Sequence, residues 1–348
     1  MTTVLHVLSM SWFSGAENVA ITLIRGFHER SLPFSFIYAS PEGSIRGIVE
    51  ENEIKYAPIK KVSISEIKRL IKEYKPGIIH AHDRTASMIC AFAARNIPVL
   101  SHLHNNAPLM KNINLKTLLY GLSCIRYKKI LGVSNAVFEE YIFHKLIDKK
   151  AVVVGNPINI KRIQTLGTEF DVQKQFDVIY VGRLSIPKNP ILFVDVAKLI
   201  LKRRPETTIA IVGDGEMKED VEDRITQFGY KESICMLGFK KNPYPYLKNA
   251  KVLCMTPKWE GFGLVAVEAL ALGKPVIATP VGGLKNIIDS TCGKFCKSAE
   301  EFSENIIDVL DNKAKLDALS IGAVRKAEEL DNIDQFIEMI RTIYEESL

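Results

Sequence analysis

The chain has 348 residues, with 46 basic and 40 acidic side chains and a formal net charge of +6, enough for two domains of about 150–200 residues each. Apolar content of 47% and charged content of 25% are ordinary for a globular protein, and the mixed signs call for no nucleic-acid partner. No apolar run reaches the length of about 18 residues that suggests a membrane span, and the opening MTTVLHVLSM lacks the basic start of a signal peptide.

The six cysteines, several inside apolar runs, read as reduced core residues in a cytoplasmic protein. Cys292 and Cys296 have no matching second pair, so a metal site is not expected there.

Val4 to Ser9 is a short apolar strand, and the loop Ser11 to Glu17 leads into a helix ending near Arg30. Ser14 and Gly15 therefore stand at a strand-to-helix turn, where Gly15 either opens the helix or admits a ligand close to the backbone. Phe34 to Ala39 is the next strand, Ile64 to Tyr74 a helix with a basic outer face, and Gly77 to His80 a strand running into His82 and Asp83. Neighbours on a strand point to opposite faces and this spacing is not that of a standard zinc set, so no metal is expected. Val99 to His102 is another strand, followed by His104, Asn105 and Asn106. A histidine just past a parallel strand faces the crevice where such sheets bind ligands and can hydrogen-bond a hydroxyl.

Ala107 to Lys116 mixes apolar and basic residues, and Leu109, Met110 and Ile113 with nearby lysines suit either a cleft loop or an anionic membrane surface. A helix follows, then the strands Ile130 to Ser134 and Val152 to Val154. Gly155-Asn156-Pro157 breaks the pattern and Lys161 to Gln175 shows little apolar periodicity, which places a boundary between domains at 1–160 and 161–332.

Phe176 to Val181 opens the second half as a strand, with Gly182-Arg183 at its end and a helix from Lys188-Asn189-Pro190 to about Lys202. Positive charge at a helix start opposes the dipole unless an anion is present, and a guanidinium fork with a movable ammonium suits a diphosphate. Thr208 to Val212 is followed by Gly213-Asp214-Gly215, without the rest of a dinucleotide fingerprint. Ile234 to Leu237 is followed by Gly238-Phe239-Lys240.

Val252 to Met255 is a strand stopped by Pro257, after which Glu260, Gly261, Phe262 and Gly263 lead into a helix from Leu264 to Leu272 and a strand from Pro275 to Thr279. The glycines let a ligand approach the unpaired N–H groups of the helix start. Glu260 is either a solvated loop charge or a ligand contact. Glu268 lies inside the apolar run VAVEALAL and needs hydrogen-bond donors or a hydroxyl-bearing ligand. From Glu300 the chain reads as three helices, Phe302 to Leu310, Lys313 to Leu330 and Ile333 to Glu346.

The ordered run from Pro257 to Thr279, with seven residues between Glu260 and Glu268, resembles the donor site of the retaining glycosyltransferases of family 4. The resemblance implies the α/β GT-B fold: two Rossmann-like parallel-sheet domains facing a central cleft, with the helix 333–348 packing back on the first. It also implies transfer of a sugar from a nucleoside-diphosphate sugar, UDP-linked, to a saccharide or lipid-linked saccharide in cell-surface polysaccharide biosynthesis. No metal or other cofactor is implied, and a peripheral contact with the inner membrane face is.

By the same resemblance Arg183 and Lys188 meet the diphosphate, Gly213 borders the nucleotide and Phe239 the base. Glu268 takes the ribose, Glu260 the donor sugar, and Gly261, Phe262, Gly263 and Leu264 line the turn. His104 takes the place of the family's cleft histidine with His102 at its threonine, though either could serve, and His80-Ala81-His82 is similar to segments that line the cleft. Gly15 is the second of a glycine pair whose first member is here Ser14, and Asn286 stands where the family has glutamate. Two other readings remain at this level: a sugar-nucleotide epimerase or phosphorylase of the same shape, and a non-catalytic nucleotide-sugar-binding protein.

Overall fold

The computed structural model describes residues 1–104, 108–139 and 141–348. In chain order the first unit holds β1 (Thr2–Val7), α1 (Gly15–Glu29), β2 (Phe34–Pro41), α2 (Ile45–Glu51), β3 (Lys55–Ile59), α3 (Ile64–Tyr74), β4 (Ile78–Ala81), α4 (Arg84–Ala93), β5 (Val99–Leu103), α5 (Leu115–Cys124), β6 (Tyr127–Gly132), α6 (Asn135–Glu139) and β7 (Ala151–Val153). The second holds α7 (Ile160–Leu166), β8 (Phe176–Val181), α8 (Pro190–Arg203), β9 (Ile209–Val212), α9 (Lys218–Phe228), β10 (Ile234–Gly238), α10 (Tyr244–Lys248), β11 (Ala250–Met255), α11 (Leu264–Ala271), β12 (Val276–Ala278), α12 (Leu284–Ile287), β13 (Gly293–Phe295), α13 (Ala299–Asp311) and α14 (Lys313–Leu330). The last helix, α15 (Ile333–Glu345), belongs with the first unit. The units are Met1–Pro157 with Asn332–Leu348, and Ile158–Asp331.

Each unit is built on one parallel sheet. The first runs β3-β2-β1-β4-β5-β6-β7 and the second β10-β9-β8-β11-β12-β13. Strands such as Ile78–Ala81 and Ile209–Val212 are buried at every position, as expected where helices cover both faces of a parallel sheet. In the second unit one cluster around Leu253, Val267 and Leu270 and another around Val178, Phe193 and Phe302 form the core.

Local chemistry starts several helices, α3 and α8 where the sequence places them and α4 where no helix is expected from it. Ser63 Oγ accepts from Glu66 N at 3.3 Å to cap α3, Asp83 Oδ1 accepts from Ala86 N at 2.8 Å to cap α4, and Pro190 stands at the start of α8. The elements that escaped the sequence reading include α4, α9, α10 and β13, and also α2, α7 and β3. α2 buries only Ile45 and Val49, α7 only Ile160 and Ile163, and β3 lies at a sheet edge with Pro58 in it, so none of these last three carries a full apolar repeat. No helix among the described residues is long and apolar enough to cross a membrane.

Candidate functional site

The order of the second sheet reverses between β8 and β11, and ligands of open α/β sheets bind outside the carboxyl ends of the strands at such a point. Arg183 and Lys188 follow β8, and Glu260 follows β11. Lys188 Nζ donates to Glu260 Oε2, joining the two turns across the switch point. Their backbones are fastened as well: Lys258 N donates to Pro187 O at 2.8 Å and Thr256 Oγ1 to Asn189 O at 3.0 Å. Arg183 lies at the surface and pairs with Glu216 at 3.0 Å.

The turn Gly261-Phe262-Gly263 delivers the chain into α11, with Gly263 at the cap and Leu264 as the first helical residue. It rests on the pair Gly282-Gly283. At Gly282, where φ is +48°, a Cβ would stand 1.7 Å from the Glu260 carbonyl oxygen, so only glycine lets the two backbones meet. Gly213 likewise follows β9 with φ +151°, and a Cβ there would lie 1.9 Å from Gly182 O.

Glu268 is buried on α11, and its Oε1 accepts from the Tyr244 hydroxyl at 3.1 Å. Burial lifts this carboxyl from 4.5 to about 7, against the pull of Tyr244 and Lys188. Phe239 stands exposed just past β10, and Asn286 is exposed on α12. Tyr244 had no signal in the sequence.

In the first unit the sheet order reverses between β1 and β4. Gly15 begins α1, and a Cβ added there would meet nothing within 4 Å. Glu17 on the same helix is buried, accepts from Ser14 Oγ, and is raised by that burial to about 7. In the sequence Ala16 and Glu17 stand where the resembled family has Ala-Glu after its glycine pair. Asp83 accepts from Ser9 N at 3.1 Å and so ties the β1 turn to the start of α4.

His80 and His82 are both buried. His6 pairs in register with His80, and His80 with Leu100, so residues two further on in β4 and β5 share one face. That face collects His6, His80, His82, His102 and His104, five of the seven histidines in the chain. His102 is buried in β5, while His104 is partly exposed just beyond it. Nitrogens of His6, His80 and His82, and of His82, His102 and His104, lie within 4.8 Å of one another. Burial lowers all five imidazoles, His6 and His104 to about 3, so they are neutral at pH 7. Asn105 and Asn106 lie outside the described residues, as does the start of the loop from Ala107.

Met110, expected at the surface, is buried, whereas Ile113 is exposed. The larger apolar surface is on α5, which turns Leu115, Leu118, Leu119, Leu122 and Ile125 just past its end to solvent. Its buried side is instead polar: Tyr120 OH meets Ser101 Oγ at 3.0 Å, and Ser123 Oγ meets Tyr127 OH at 2.7 Å.

Residues 13–162 match the family model described as Glycosyltransferase Family 4, and residues 168–326 the one described as Glycosyl transferases group 1. This chain is a glycosyltransferase of the GT-B fold. It is 25% identical over 240 residues to the uncharacterized glycosyltransferase MJ1059 of Methanocaldococcus jannaschii, a match spanning 62% of this chain and 58% of that one. It is also 25% identical over 304 residues, 81% of this chain and 78% of the relative, to the Escherichia coli UDP-Gal:alpha-D-GlcNAc-diphosphoundecaprenol alpha-1,3-galactosyltransferase. Among solved structures, Anabaena Alr3699/HepE in complex with UDP-glucose superposes with a TM-score of 0.85 at 19% identity, over 99% of this chain and 100% of that one. At that identity the likeness establishes the fold of the glycosyltransferase.

Proposed function

We propose that this glycosyltransferase moves a sugar from a UDP-linked donor to a saccharide carried on a lipid, in cell-surface polysaccharide biosynthesis. Transfer retains the configuration of the anomeric carbon and needs no metal ion. The observation that carries the reading is the Lys188–Glu260 pair at the switch point, set before the start of α11 and its buried Glu268. As the diphosphate leaves, negative charge grows on its oxygens while the anomeric carbon becomes electron-poor. Arg183, Lys188 and the N–H groups of Gly261 to Gly263 stabilise that charge, and one well-placed donor contributes about 2.7–4 kcal/mol. Lys188 exchanges the Glu260 carboxylate for phosphate, which frees Glu260 for a sugar hydroxyl. Glu268 accepts from the ribose, Phe239 lies by the base, Gly213 borders the nucleotide, and His104 hydrogen-bonds the donor sugar.

The relatives support this choice: the Anabaena structure holds UDP-glucose, and the E. coli enzyme takes UDP-galactose and a diphosphoundecaprenol-linked sugar. For the acceptor side, the exposed apolar stripe of α5 is accompanied by exposed Lys111, Lys116 and Lys128, within the helix or close to it in sequence, and by exposed Lys145 and Lys149 further along. Apolar residues accompanied by basic ones are the pattern of a helix that lies in an anionic membrane surface, and such a surface would hold the enzyme beside a lipid-linked acceptor.

A thermal-shift panel of UDP, GDP, ADP and their sugars tests the donor. UDP and a UDP-sugar should raise the melting temperature most. Equal stabilisation by UDP of Arg183→Ala and Glu268→Ala variants would sink the residue assignments. The anomeric proton coupling of the first-formed product decides retention.

A further inference from the structure

The five clustered histidines and one tyrosine are joined end to end. His104 Nε2 meets His82 Nδ1 at 3.0 Å, and His82 Nε2 meets His6 Nδ1 at 2.8 Å. His6 Nε2 meets the Tyr344 hydroxyl of α15 at 3.4 Å, that hydroxyl meets His80 Nδ1 at 2.8 Å, and His80 Nε2 meets His102 Nδ1 at 3.1 Å. The two nitrogens left over, His104 Nδ1 and His102 Nε2, are buried and have no partner. They are the two ends of the chain, on rings whose centroids lie 4.1 Å apart.

A neutral imidazole has one N–H and one bare nitrogen, and a phenol has one O–H. Six groups thus bring six mobile protons to five hydrogen bonds, and one proton remains at one end. Every link but those through the phenol joins an Nε2 to an Nδ1, and the phenol joins an Nε2 to an Nδ1 as well. If one ring carries its proton on Nδ1, each of the others must do so. The alternative places every proton on Nε2. Mixed states leave two donors or two bare nitrogens facing each other in a buried site, which leaves polar groups unsatisfied away from water and is unfavourable.

We propose that His6, His80, His82, His102 and His104 share a single tautomer, switched as one unit, and that Tyr344 is the positioning residue that links the two halves of the chain and so sets the state of His104. One free end is then always a donor and the other always an acceptor. His104 Nδ1 is covered in the free chain, so a ligand hydroxyl must first displace that cover; one that then donates to Nδ1 selects the Nε2–H state in all five rings, and one that accepts there selects Nδ1–H. The functional half of this statement rests on His104 meeting the donor sugar, while the tautomer rule stands on the hydrogen-bond pattern alone. The N···N spacings of 2.8–3.1 Å are those of hydrogen bonds. Nitrogens at tetrahedral positions about 2.0–2.1 Å from a zinc ion would be about 3.3–3.4 Å apart.

The test is long-range 1H–15N correlation NMR of the full chain labelled at its histidine rings, at pH 7, with metal content measured alongside. The expected spectrum shows one common tautomer for the five clustered rings, distinct from the signals of His28 and His144. Different tautomers among the five, a doubly protonated ring, or one zinc per chain would overturn the proposal. Tyr344→Phe should split the unit, so that UDP-glucose changes His6, His82 and His104 without His80 and His102, and should raise the KM for the donor about tenfold while kcat changes less than twofold. All five rings still switching together in that variant would refute the role of Tyr344. If Tyr344→Phe does not fold, the wild-type spectrum and His102→Phe decide the matter, because removing an end ring leaves the other four bound to one tautomer. No response of a common-tautomer chain to UDP-glucose would count against His104 as the sugar contact and leave the tautomer rule intact.

Discussion

Glu268→Gln separates the ionisation of this side chain from its shape. The glutamate has its carboxyl at about 7 in the folded protein against an ordinary 4.5, with burial as the first cause. A raised carboxyl favours folding while protonated: its contribution is complete below about pH 4.5 and is lost as the pH rises through about 7. A displacement of this size is worth about 3 kcal/mol in full and about 2–3 kcal/mol between pH 5 and pH 8. Glutamine keeps a carbonyl to accept from Tyr244 OH but cannot ionise. The unfolding free energy of the variant, read from urea titrations of the full chain at pH 5, 6, 7 and 8, should therefore gain about 2–3 kcal/mol on wild type across that range. Glu17 is raised in the same direction and is present in both proteins, so it cancels. UDP affinity by calorimetry should rise with pH through about 7 in wild type, as the carboxylate forms and accepts ribose hydroxyls, and stay flat in the variant. Parallel pH profiles for the two proteins, in stability and in binding, would refute the account of Glu268 as a buried, titrating ligand for hydroxyls.

Three further outcomes follow from the same geometry. Arg183→Ala and Lys188→Ala should each weaken UDP binding by about 10- to 100-fold in calorimetry, the loss of one charge-assisted contact; an unchanged affinity removes that residue from the phosphate site. Gly282→Ala places a methyl group 1.7 Å from Glu260 O, so it should displace the Glu260 to Gly263 turn and abolish stabilisation by UDP in a thermal-shift assay, and normal stabilisation would show the turn is not built on that contact. Leu118→Glu with Leu122→Glu, both exposed on α5, should end flotation with phosphatidylglycerol vesicles while UDP binding persists; vesicle binding equal to wild type would exclude α5 as the membrane face.

Several features of this glycosyltransferase are written in short stretches of sequence. β8 and α3 occupy Phe176–Val181 and Ile64–Tyr74, as their apolar spacing indicates, because a strand or helix with a strong repeat and a clear stop is decided by its own residues. The glycine turn before α11 is legible for the same reason: Pro257, Gly261 and Gly263 limit the backbone whatever surrounds them. The anomalous position of Glu268 in an apolar helix was also visible, since the cost of burying a carboxylate does not depend on which neighbour satisfies it.

What local pattern cannot carry is which face of an element meets the core and which distant group completes a contact. The helix α5 buries Thr117, Tyr120 and Ser123 and turns its leucines outward, because the Tyr120 and Ser123 hydroxyls find partners on β5 and β6. Met110 went inside while Ile113 stayed out. His6, His80 and His102 are far apart in sequence, and Tyr344 is near the other end of the chain. Only parallel register and the packing of α15 bring their nitrogens and hydroxyl into one line. Spacing along a chain settles local geometry; pairing across it depends on the whole sheet having formed.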